Sequence, residues 1–131
     1  MPVEVMWDDD AKTIIRQKFE GIISLDDYYK ATDDFVTLAS SVDYTVHSIF
    51  DRREIEKSEG SFIKAMQYAN KQKINNLGIR VVLQASSMTK TIVNMGRYLA
   101  PDLIKNIIFA ETIEEAHQHI AEFETNNSRS Y

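Results

Sequence analysis

Apolar and polar positions alternate from the start of the chain. Val3, Val5 and Trp7 fall on one side and Glu4 and Met6 on the other, the period of a strand with one buried face. Asp8, Asp9 and Asp10 then read as a solvated hairpin turn, since they lack the central Gly and closing Glu of a calcium-binding loop. Lys12–Glu20, KTIIRQKFE, puts Ile15 and Phe19 on one face and Arg16, Lys18 and Glu20 on the other, which predicts a second, antiparallel strand broken by Gly21. The period next becomes helical: Ser24 and Asp27 form a capping box, and Leu25, Tyr28, Ala31, Phe35, Leu38, Ala39 and Val42 make an apolar stripe.

Val46–Phe50 is apolar enough to lie inside a sheet. Asp51–Glu59 follows, nine residues of which seven are charged, and is expected to be a loop. Gly60 and Ser61 lead into a helix carrying Phe62, Ala65, Met66 and Ala69 on one face, with Lys71 and Lys73 at its end. Ile79, Val81, Val82 and Leu83 form the most plainly buried strand. Ser86 or Ser87 caps a third helix, whose stripe of Met88, Ile92, Met95 and Leu99 is expected to face the core, and Pro101 stops it. Asn106–Ala110 makes a last strand, and Thr112 with Glu115 caps a final helix buried through Ile113, Ala116, Ile120 and Phe123. Residues 1–124 therefore read as one domain and 125–131 as a flexible tail without periodicity.

The order β-β-α-β-α-β-α-β-α is that of an α/β fold with right-handed crossovers: a mostly parallel sheet of about five strands, one antiparallel edge strand and four main helices. Loops after the parallel strands should share one rim, where Asp51–Ser61, Gln84–Thr89 and Glu111–Thr112 come together.

Composition narrows the chemistry. A formal charge of −5 over 131 residues argues against nucleic acid, and there is no apolar run long enough for stable membrane insertion. The absence of cysteine removes disulfides and thiolate chemistry, and with no basic, apolar leader at the start a cytoplasmic protein is expected. His117 and His119 stand on different sides of a helix and His47 on a distant strand, so no metal site is expected. No nucleophile elbow, P-loop or dinucleotide fingerprint is present, and neither an enzyme nor a cofactor is expected. The rim is the better candidate for an anion or a partner: Asp51, Arg52, Arg53, Lys57 and Gly60, with Ser86 and Ser87 opposite, surround a helix start whose free N–H groups favour negative charge. The competing reading pairs Arg52 and Arg53 with Glu54, Glu56 and Glu59 in a solvated loop.

The Trp7-Asp8 and Phe19-Glu20-Gly21-Ile22-Ile23-Ser24 segments, the strand ending at Asp51 before a Ser/Gly-bearing helix start, and the close ETIEEAHQHI together resemble the STAS domain of sporulation anti-sigma factor antagonists, in particular its stand-alone members. The resemblance implies successive strand-helix turns, no catalysis, and a partner or ligand surface around Asp51–Met66. Signalling members carry a phosphorylated serine at this helix start within Asp-Ser-Ser/Thr-Gly. Here the residues read Lys57-Ser58-Glu59-Gly60-Ser61, which makes Ser58 and Ser61 the phosphorylation candidates and departs from the motif at Lys57 and Glu59. Two functions are thus expected. The first is a regulatory module that binds a protein partner and is phospho-regulated at the second helix. The alternative is a small-molecule or lipid carrier with an apolar pocket of Phe62, Met66, Met88, Ile92 and Met95. The identity of the partner and the oligomeric state, homodimer included, are left open.

Overall fold

The computed structural model describes residues 2–99 and 106–128; Pro101 and the last three residues of the expected tail lie outside them. Strands β1 (Val3–Trp7), β2 (Ile14–Ile23), β3 (Val46–Ser58), β4 (Leu77–Leu83) and β5 (Ile107–Ala110) form one sheet. Their spatial order is the sequence order, β1 antiparallel to β2 and every later pair parallel. Helices α1 (Leu25–Ser40), α2 (Phe62–Lys71) and α3 (Ser87–Leu99) make the crossovers, and α4 (Ile113–Ser128) follows β5. Because the order never reverses, right-handed crossovers place α1, α2 and α3 on one face of the sheet, and α4 covers the other.

The core is divided accordingly. Ile14, Ile49, Ile79, Val81 and Leu83 meet Ala116 and Ile120 of α4. On the opposite face Ile15, Phe19, Ile23 and Val46 meet Tyr28, Ala31, Phe35 and Ala39 of α1. Both helix stripes are those the sequence predicts, as is the α1 capping box: Asp27 N–H donates to Ser24 Oγ at 3.2 Å and Ser24 N–H to Asp27 Oδ2 at 2.8 Å. The acidic hairpin turn is closed by Asp9, whose carboxylate accepts from the Thr13 and Ile14 N–H groups at 2.9 and 3.0 Å. His47 is part of the core: its Nδ1 accepts from Ile79 N–H at 3.1 Å, and its other nitrogen meets Glu124.

Three expectations are corrected. Gly21 does not end β2; with φ of +80° it sits at a register shift, and the strand continues to Ile23. The charged segment after Asp51 is not a loop. It continues β3 to Ser58, since Gly21, Ile22 and Ile23 supply backbone partners for Ile55, Lys57 and Ser58 beyond the end of β4. The expected tail is shortened as well, because α4 runs on to Ser128.

The third helix departs furthest from its pattern. Thr89, Val93 and Gly96 are buried among the residues of α3 whose burial is described, Val93 packing against Val82 and Ile107, whereas Met88 is 73% and Met95 59% exposed. Val93 provides the packing of α3 on β4 and β5, and Met88 and Met95 are turned to water.

Candidate functional site

A cleft of about 350 Å³ opens at the rim between the starts of α2 and α3. Its walls include Arg52 from β3, Ser58 at the strand end, Gly60 and Ser61 at the corner, and Ser86 and Met88 at the start of α3. Each helix start is capped by its serine: Ser61 Oγ accepts from Lys64 N–H at 3.2 Å, and Ser86 Oγ from Thr89 N–H at 3.1 Å. Ser58 Oγ lies 2.7 Å from Tyr28 Oη and donates to the Gly60 carbonyl at 3.3 Å. Gly60 is required by contact: a Cβ there would stand 2.6 Å from Leu25 N and 2.7 Å from Leu25 Cα, so the corner rests directly on the first turn of α1.

Arg52 supplies the positive charge. Its guanidinium carbon lies 5.9 Å from the ring centroids of both Phe50 and Phe62, a cation–π arrangement that holds it against the cleft wall. Its Nη1 is buried and has no hydrogen-bond partner among the described residues. An unfilled donor beside two capped helix starts suits an anionic group. None of the cleft hydroxyls contacts a histidine or carboxylate that would act as its base, and the described residues contain no group of three or more His, Asp or Glu suited to a metal.

Other rim candidates are placed elsewhere. Asp51 and Arg53 point to the α4 side of the sheet, where Arg53 donates to both oxygens of Asp51 at 3.0 and 2.9 Å and Arg16 approaches at 3.9 Å. Arg16 is bound in turn to Asp8 at 2.7 Å, and His117 Nε2 lies 2.6 Å from the same carboxylate. Lys57 faces water near Glu59, and Ser87 is exposed in the first turn of α3. The expected apolar pocket is also divided. Phe62, Met88 and Ile92 line the rim cleft, Phe62 and Met66 line a separate cavity beneath α1 and α2, and Met95 lines neither.

Asp51 predicts an acid response. Burial pushes its carboxyl up, but the hydrogen bonds from Arg53 and the charges of Arg53 and Arg16 outweigh burial and hold it below the usual value. A carboxyl lowered in the folded state contributes stability above its unfolded value and loses that contribution as pH falls through the folded one. The urea midpoint should therefore hold between about pH 7 and 5 and fall below about pH 4. In Asp51→Asn the fall should be shallower, with Asp9, also lowered, supplying the remainder; an unchanged acid slope would remove Asp51 from the account.

The mixed five-stranded sheet, with three helices on one face and one on the other, shares its fold with solved structures of an anti-sigma factor antagonist. Two of the solved structures to which the chain is similar are of SpoIIAA. The anti-sigma factor antagonist SpoIIAA in its unphosphorylated form matches with a TM-score of 0.58 at 8% identity, over 92% of this chain and 97% of that one. The Bacillus cell fate determinant SpoIIAA in the phosphorylated form matches with a TM-score of 0.55 at 12% identity, over 90% and 98%. No protein-family model and no curated protein sequence matches the chain.

Proposed function

We propose that the protein is a non-enzymatic regulatory module that binds a protein partner across the rim cleft and the outer face of α3, with Ser58 and Ser61 as the positions where phosphate would alter that binding. The observation that carries this reading is the inverted burial of α3. A helix that buries Thr89, Val93 and Gly96 while leaving Met88 and Met95 in water violates the apolar pattern that stabilises folding, and such violations concentrate at functional surfaces. Ile63, 53% exposed, continues the apolar surface from α2 across the cleft. The SpoIIAA likeness, with structures of phosphorylated and unphosphorylated forms, supports a regulatory use of the same fold.

The phosphate would act through charge. It adds about −1.5 to −2 at neutral pH, and at either serine it would lie on the cleft that holds the open Arg52 donor. At Ser61 it would also stand at the positive end of α2.

Met88→Asp with Met95→Asp should leave the unfolding free energy within about 0.5 kcal/mol of the parent, because both side chains are exposed. The same pair should abolish capture of a partner that a control change at exposed Glu122 on α4 leaves intact. Intact-mass measurement on protein isolated from its source should detect a phosphate on Ser58 or Ser61, and Ser61→Asp should change the captured set. Capture indifferent to all three cleft and α3 changes would defeat the partner reading, and phosphate absent under every growth condition would defeat its regulation.

A further inference from the structure

Arg80 is a lone charge in the middle of β4, on the face covered by α1 and α2. The sequence signal was present, an arginine inside Leu77–Leu83, but periodicity gave it no role. Its strand neighbours in register are Ser48 of β3 and Ile107 of β5. The guanidinium carbon lies 5.8 Å from the Phe35 ring centroid. Arg80 keeps some accessible surface as a residue, yet its Nε is buried and has no partner, and no carboxylate among the described residues pairs with it. Burial pushes its pKa down to about 10, with no neighbouring charge opposing the shift. A partly buried cation whose enclosed Nε–H has no acceptor and whose charge has no partner carries an unmet cost, which an anion in the adjoining cavity would offset.

The cavity that Arg80 lines measures about 70 Å³. Phe35, Phe50, Phe62, Met66 and Val82 give it mostly apolar walls, while Gln17 and Ser48 continue the polar strip across the sheet. Those two groups are engaged with one another and with α1: Gln17 Nε2 donates to the Ala31 carbonyl at 2.9 Å, and Ser48 Oγ to Gln17 Oε1 at 3.5 Å. No Asp or Glu lines the cavity. We propose that this cavity binds a short-chain monocarboxylate, its carboxylate against the Arg80 guanidinium and its alkyl chain against the aromatic and methionine walls. A single charge is specified because Arg80 is the one charged residue in the walls, and a chain of a few carbons because the cavity is small. The inference rests on Arg80 and not on the rim cleft.

The test is titration of the full chain with acetate, butyrate and hexanoate, with hexanol and inorganic phosphate as controls, followed by heteronuclear NMR and thermal unfolding. Hexanoate or butyrate should give saturable shifts that include the Arg80 Nε–H resonance and should raise the melting temperature. Hexanol and phosphate should bind at least about tenfold more weakly. Arg80→Met should lose the response to acids, and Ala69→Leu, which fills the cavity while keeping the arginine, should lose it too. If Arg80→Met does not fold, the wild-type Arg80 resonance and Ala69→Leu decide the matter. Equal binding of hexanol, an Arg80 resonance unmoved at saturation, or no saturable response to any acid in the series would overturn the proposal.

Discussion

Phe19→Ala is expected to cost about 3–5 kcal/mol of unfolding free energy. Phe19 has no exposed surface, and its ring lies 4.4 Å from the centroid of Phe50 and 5.4 Å from that of Tyr28. It therefore ties β2 to β3 and to α1 in one aromatic cluster, and Phe50 passes the contact on to Phe62 at 6.5 Å. Removing the ring subtracts its transfer energy and leaves a void that three fixed elements can close only in part. Against a total stability of about 5–15 kcal/mol for a domain of this kind, that loss is a large fraction. Urea denaturation measures it through the midpoint at constant slope. A loss below about 1 kcal/mol would mean that the cluster repacks and that Phe19 does not anchor it. The floor of the rim cleft should loosen with the core, seen as faster amide exchange at Ala65, whose N–H donates to the Ser61 carbonyl at 3.0 Å.

Gly60→Ala is the second large effect, expected at about 1–3 kcal/mol. The added methyl would meet the backbone of Leu25 at 2.6 and 2.7 Å and the Ser24 carbonyl carbon at 3.0 Å. Backbone cannot turn aside as a side-chain tip can, so either the start of α2 lifts or the capped first turn of α1 shifts. Gly21 provides the contrast: its Cβ position is open, and only its φ of +80° opposes a side chain. Gly21→Asn should accordingly be tolerated better than Gly60→Ala in the same urea assay. Amide exchange should rise at Asp27 and Lys64 in Gly60→Ala and stay at parental rates in Gly21→Asn. If both variants match the parent, the corner is slack and the cleft geometry does not depend on Gly60.

The elements whose local pattern and tertiary role coincide were legible in the chain. Ser24 with Asp27 reads as a capping box and forms one, and the Tyr28, Ala31, Phe35 and Ala39 spacing becomes the buried stripe of α1. The rim was legible only in part. Arg52, Ser58, Gly60, Ser61 and Ser86 do meet at one cleft, but Asp51 and Arg53 do not, because the segment that carries them is a strand and alternates its side chains between the two faces of the sheet. Charge density suggested a loop there, whereas backbone partners from Gly21–Ile23, remote in sequence, made it a strand.

The sequence by itself determined the order of elements, the parallel sheet with its antiparallel edge, the helix caps and the rim toward which Ser58 and Ser61 point, since these follow from periodicity, chirality and short-range hydrogen bonding. Tertiary structure alone decided which face of α3 is buried, where β3 ends, and that Arg80 lines a cavity with its Nε buried and without a counter-charge. Each of these depends on contacts between segments far apart in the chain, which choose among locally acceptable arrangements by which side chains and backbone partners they bring together. For α3 that choice favours Thr89, Val93 and Gly96 against the sheet over the more hydrophobic methionines.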